Sequence, residues 1–187
     1  MKLRLLAGAL ALDFVNTVDP LVGPDAQDFL DRPAALADWA ALAGLEPPAA
    51  PTAEDLARAL AVRRDLHAVF GAVAAGGDPP AAALARIRRA YAATLGRAAL
   101  VPAGDGLAWR PAPADAILWP VLASAVELLT SSVLRRVKEC ENHETCGWLF
   151  LDASRGGTRR WCSMSGCGAR AKMRRYRARH AARGATA

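Results

Sequence analysis

The chain's four cysteines are Cys140, Cys146, Cys162 and Cys167, spaced Cys-x5-Cys, then 15 residues, then Cys-x4-Cys. Two close pairs joined by a longer segment are what a tetrahedral zinc site asks of a chain. Each short loop brings two thiolates to one corner, and the connecting segment folds back to close the site. Spacing within a pair is usually about two to four residues, so the first pair is slightly long. Four thiolates leave no coordination position for water, so the chemistry implied is structural Zn2+ rather than metal catalysis. His143 lies inside the first pair and could replace a cysteine, although a solvated or supporting histidine is the simpler expectation. Two disulfides would also consume four cysteines. Without an export signal, however, the reducing cytoplasm is the expected location, and thiols clustered there more often hold metal.

A second concentration of chemistry follows the last cysteine, where Arg170, Lys172, Arg174, Arg175, Arg177 and Arg179 crowd together. At about 3.6 residues per turn, Arg170, Arg174 and Arg177 share one helix face and Lys172, Arg175 and Arg179 nearly the opposite one. The bland reading is a solvated helix. The sharper reading is a phosphate-contacting helix with Arg159 and Arg160 adding to its field, because almost no acid interrupts the run. Arginine can bond guanine edges, but these side chains can equally contact phosphate alone.

A third group is Asp13, Asn16 and Thr17, at i, i+3 and i+4 among Leu10, Leu12, Phe14, Val15 and Val18. Polar groups on an apolar helix need partners. One reading is a hydrogen-bond network that fixes this helix against its neighbours. The other is the polar floor of a ligand pocket with Trp39 or Trp119 as its apolar wall.

The elements that must position these groups follow from composition and punctuation. The chain has 187 residues, 53% of them hydrophobic and 44 of them Ala, the best helix former. Residues 1–133 carry 11 Lys and Arg against 14 Asp and Glu, a net of −3, while residues 134–187 carry 13 against 4, a net of +9. A mildly acidic helical body of residues 1–133 therefore precedes a basic tail of residues 134–187. Helices are expected over Ala7 to Val18, Ala34 to Ala43, from Thr52-x-x-Asp55 to Gly76-Gly77, from Pro79-Pro80 with Leu84, Ile87, Tyr91 and Leu95 on one side, and from Asp115 to about Leu134. Breaks fall at Pro20 to Pro24 and at Pro47-Pro48. Pro120 kinks the last body helix or delays its start. Ala98 to Pro102 and Leu107 to Arg110 flank Gly104-Asp105-Gly106 as a short β-hairpin. In the tail, Trp148 to Leu151 is expected to leave the first cysteine pair as a strand, turn at Gly156-Gly157 and return along Arg160-Trp161. No stretch approaches the length of a bilayer span. The apolar run Leu5 to Leu12 resembles a signal peptide only faintly, and a buried amphipathic helix is the better reading. A cytoplasmic protein with no membrane partner is expected.

The segments Cys146-Gly147-Trp148-Leu149-Phe150-Leu151-Asp152, Arg159-Arg160-Trp161-Cys162-Ser163-Met164 and Cys167-Gly168-Ala169-Arg170-Ala171-Lys172 resemble the CGNR zinc finger over about residues 134–180. Leu10-Ala11-Leu12-Asp13-Phe14-Val15-Asn16-Thr17 resembles the opening of the ABATE domain, which commonly precedes that finger. The resemblance implies a bacterial, stress-linked transcription regulator, with zinc-held DNA binding and a sensor domain. It carries the zinc role to the four cysteines and a basic role to Arg170 and Lys172. Ala169 stands where the family has its name-giving Asn, so any contact made by that Asn is absent.

The expected fold is mainly α (α+β): a helical domain with a short β-hairpin, then a small treble-clef-like zinc finger. The expected function is a zinc-dependent nucleic-acid binder, a duplex-DNA regulator with a small-molecule effector, acting as a homodimer to double its contacts. RNA is the alternative polymer. An enzyme working through the amino-terminal pocket is the remaining class. It is not expected, since there is no Gly-rich phosphate loop, Gly-x-Ser-x-Gly or His-Glu-x-x-His, and His67, His143 and His180 are scattered.

Overall fold

A computed structural model describes residues 3–19, 26–46, 50–143 and 145–184. The breaks expected at Pro20 to Pro24 and at Pro47-Pro48 lie outside these residues.

The first helix, α1, covers only Leu10–Val15, shorter than the expected Ala7 to Val18. Two features shorten it. Gly8 takes φ +81°, a conformation that favours glycine, with Leu151 packed against the same spot. In addition, the Asp13 carboxylate accepts the backbone N–H groups of Leu6 and Ala7, which holds that segment extended. After α1 the chain leaves as β1 (Val18–Asp19), which pairs antiparallel with β2 (Gln27–Asp28).

Helix α2 (Pro33–Leu42) starts on a proline and stops before Gly44, at φ +71°. Helix α3 (Ala53–Ala74) starts with the expected capping box: Thr52 Oγ1 accepts the Asp55 N–H, and the Asp55 carboxylate accepts the Thr52 N–H. Its inward face presents Ala59, Val62, Leu66, Val69, Phe70 and Val73. Helix α4 (Ala81–Arg97) buries Ala83, Ile87 and Thr94; Leu84, expected on that face, is exposed because the stripe runs one residue earlier. The hairpin β3 (Ala99–Ala103) and β4 (Gly106–Arg110) forms as expected, with Leu100 opposite Trp109.

A 3-10 turn at Pro113–Asp115 then precedes α5 (Leu118–Thr130). Pro120 therefore sits in the first turn of α5, where its missing N–H costs nothing. The helix ends at Thr130, short of Leu134. Asp115 is fully buried and accepts from Arg58 of α3 and Arg97 of α4, tying three elements at one point. Arg86 of α4 binds both carboxylate oxygens of Asp65 on α3.

The tail docks on this body. Strand β5 (Val137–Glu139) pairs antiparallel with β6 (Leu149–Leu151), and a turn at Met164–Gly168 leads into α6 (Ala169–Gly184). This corrects the expected tail hairpin. The partner of β6 is β5, before the first cysteine, and residues 152–161 form a loop rather than a returning strand. The reason is the Asp152 carboxylate, which pulls that loop inward. It accepts from the Ser154 N–H and hydroxyl, the Arg159 N–H and Lys138 Nζ. Burial opposes its ionisation, but these donors outweigh burial and hold the carboxyl below the usual range.

Side chains alternate along β6. Leu149 joins the body core with Val137, while Trp148 and Phe150 join the four cysteines and Leu6 in a second core. The two-residue period of a strand thus divides one segment between two cores.

A thiol cluster and a basic helix

Cys140 sits at the end of β5 and Cys146 just before β6, so the β5–β6 hairpin holds the first pair at its tip. Its closure is fixed by the Cys140 N–H bonding the Trp148 carbonyl. Gly147, at φ +71°, makes the turn that sends the chain from Cys146 into β6. Cys162 follows the Asp152 loop, and Cys167 lies in the turn that opens α6. All four cysteines are buried, and their Sγ atoms lie within 4.8 Å of one another. The Cys146–Cys162 and Cys162–Cys167 separations are 3.5 and 3.6 Å. A tetrahedron with Zn–S bonds of about 2.3 Å has edges of about 3.8 Å, and a disulfide would need about 2.05 Å. The donor set is that of a structural Zn2+ site.

The cluster is also prepared electrically. Hydrogen bonds with Cys146 and Cys162 bring the Cys140 thiol down to about 7, and bonds from Cys140, Cys146 and Cys162 bring Cys167 lower still. Hydrogen bonds to neighbouring thiols, and burial, push up the values at which the Cys146 and Cys162 thiols give up their protons. A zinc ion would displace those protons. Arg170 Nη2 lies 3.1 Å from Cys167 Sγ and offsets thiolate charge. His143 is not part of the cluster: it is largely exposed, with Nδ1 3.0 Å from Glu139 Oε1.

The arginines separate into two groups. Arg159, expected to face phosphate, is turned inward: its guanidinium donates to the carbonyls of Trp161, Leu6 and Cys162 and lies over the Phe150 ring. Arg160 is exposed, but its Nε reaches both oxygens of Glu141 at 2.7 Å, which cancels much of its field. Lys138, which no motif or spacing marks out, is likewise bound to Asp152 and the Gly157 carbonyl. By contrast, Lys172, Arg174, Arg175, Arg177 and Arg179 are exposed on α6, and no carboxylate pairs with them among the described residues. Past Ala171, α6 is exposed through His180, and Tyr176 stacks on His180 with ring centroids 4.2 Å apart.

Asp13, Asn16 and Thr17 come together at the seam between body and finger. Asn16 Nδ2 donates to the Leu149 carbonyl at 2.8 Å, and the Leu149 N–H donates to Asn16 Oδ1 at 3.0 Å. Asn16 thus mimics a neighbouring strand for β6. Asp13 accepts from Leu6 and Ala7, its pKa raised by burial against those bonds. Thr17 Oγ1 donates to the Phe14 carbonyl and accepts from Arg63. Trp39 is buried edge-on against Phe14 at 4.9 Å. Asp13 Oδ1 and the side-chain polar atoms of Asn16 and Thr17 are bound to protein partners, and the joint is completed by Trp148 Nε1 to the Val18 carbonyl and the Leu151 N–H to the Ala7 carbonyl. Trp148, Asp152 and Leu6 share this work, and nothing in their spacing announced it.

Among the described residues no helix is long and apolar enough to cross a membrane. Residues 8–132 match the family model of ABATE, described as "Putative stress-induced transcription regulator", and residues 136–180 match that of the CGNR zinc finger. No curated protein matches the chain.

Proposed function

This chain belongs to the ABATE family and carries a CGNR zinc finger, and from that premise we propose that it is a cytoplasmic, non-enzymatic transcription regulator that grips duplex DNA with α6. The observation that carries this reading is the contrast among its cations. The finger neutralises or buries Lys138, Arg159 and Arg160 on its own groups and leaves five cations of α6 exposed. Several of these repel one another at i, i+3 and i+4, as in Arg174/Arg177 and Arg175/Arg179. A helix with almost no buried face and unrelieved like charge gains most from an anionic partner. Zinc anchors the first turn of α6, and the partner's phosphates supply the counter-charge.

In this reading the body orients the finger through Asn16 and Trp148, and an effector or a second copy would act by shifting that joint. Fluorescence anisotropy with a 20-base-pair duplex tests the proposal. Five phosphate contacts give a log–log salt slope of about −4 to −5. Binding is lost on zinc chelation, and Arg174→Ala weakens it on every sequence while flattening the slope by about one. Affinity indifferent to salt would refute the reading, and tighter binding to structured RNA than to any duplex would transfer it to RNA.

A further inference from the structure

A cleft of about 600 Å3 opens at the foot of α6, within the range of small-ligand sites, about 300–1,000 Å3. One wall is the amino-terminal segment of the body, with Arg4 and Leu6. Trp148 also lines it, and the other wall is α6 from Ala169 to Arg177, with Met173, Arg174 and Arg177. The amino-terminal segment is fixed in place. The Leu6 N–H is held by Asp13, its carbonyl accepts from Arg159, and its side chain packs on the thiol core. Arg4 is therefore delivered to the rim from the body, opposite the arginines of the finger.

Two properties of this cleft belong together. Its rim is cationic, and no Asp or Glu lines it among the described residues. Its interior is mostly apolar, from Leu6, Trp148 and the half-exposed Met173, and it borders Cys146, Cys162 and Cys167 of the thiol cluster. Phosphate alone needs the first property and has no use for the second. A paired base cannot use the second either, because its faces are already stacked. A ligand with a flat, weakly polar body joined to phosphate satisfies both, and such faces stack readily on guanidinium groups. Ala169, which begins α6, lines this space with only a methyl group.

We propose that this composite cleft accepts one unstacked nucleotide, its base against Leu6 and Met173 and its flanking phosphates on Arg4, Arg174 and Arg177. The proposal rests on the nucleic-acid reading above and adds to it. The body becomes part of the binding site, and the protein prefers a strand with an unpaired nucleotide.

Anisotropy of the zinc-loaded full chain with three DNA probes tests it: a fully paired duplex, the same duplex with one bulged thymidine, and the same bulge with an abasic nucleotide. The thymidine bulge is expected to bind about tenfold tighter than the paired duplex, the gain of removing one base face from water against apolar side chains. The abasic bulge is expected to lose that gain. Ala169→Trp, which fills the cleft, brings the ratio of bulged to paired affinity near one, with zinc content confirming that the variant is folded. Arg4→Ala lowers the same ratio without touching the finger. Equal affinity for thymidine and abasic bulges, or for bulged and paired duplexes, overturns the nucleotide site while leaving duplex binding in place. Failure of all three probes to bind overturns the nucleic-acid reading itself, and this site with it.

Discussion

In the body, α1, α3 and α5 bury Phe14, Leu66, Phe70 and Leu122 against one another, with Trp39 of α2 edge-on to Phe14. In the finger, four thiols and the rings of Trp148 and Phe150 occupy the corresponding place. The first core is held by the apolar area it removes from water. The second is too small for that and depends on metal coordination. Strand β6 belongs to both, Leu149 facing one way and Phe150 the other. The difference teaches where each kind of damage should stop.

The strongest way to break the comparison is to remove the metal. Structural zinc contributes about 10–16 kcal/mol to folding in finger peptides. Chelation, or Cys167→Ser, is expected to unfold residues 137–170 and erase the near-ultraviolet signal of Trp148 and Trp161, while α3, α4 and α5 keep their far-ultraviolet helicity. One zinc per chain is expected in protein purified without chelator, and less than about half an equivalent would sink the zinc assignment. A smaller effect separates the two faces of β6. Phe150→Ala and Leu149→Ala are each expected to cost about 3–4 kcal/mol, but with different readouts. Phe150→Ala should hasten zinc loss to a competing chelator, whereas Leu149→Ala should lower the urea midpoint of the body and leave zinc retention nearly unchanged. Identical behaviour of the two variants would mean that the cores are one.

The seam itself is worth less. Asn16→Ala leaves the buried N–H and carbonyl of Leu149 without partners, an expected loss of about 2–3 kcal/mol, seen in denaturant and as faster hydrogen exchange at Leu149. Unchanged exchange there would show that the joint does not depend on Asn16. Smallest of all, Thr52→Ala removes the cap of α3 for about 1 kcal/mol. That loss should be confined to the body, with no change in zinc affinity.

Local signals were legible wherever a residue's role depends on its neighbours in the chain. Thr52 and Asp55 announced the start of α3, Gly104 the hairpin, and the cysteine spacing the metal site. Roles set by distant partners were not. Arg159 reads as one more cation of a basic run, and only the fold turns its guanidinium onto three carbonyls. Asp152 reads as the end of a strand, yet it gathers the loop that carries Arg159 and so takes residues 152–161 out of the expected hairpin. Asn16 reads as a polar group on an apolar face, but its partner lies 133 residues away.

Sequence by itself determined the division into an acidic helical body and a basic, cysteine-bearing tail, because charge, alanine content and ligand spacing are properties of the chain. It also determined that the four thiols meet, since two short loops leave few other arrangements for them. Only the tertiary structure decided which cations remain available. Burial and pairing are settled by what the fold brings alongside: Arg159 and Lys138 face inward, Arg160 meets Glu141, and Lys172, Arg174, Arg175, Arg177 and Arg179 of α6 meet no carboxylate among the described residues. The same packing placed Arg4 on the rim beside Arg174 and Arg177, a neighbourhood that residues 170 positions apart in the chain cannot reveal.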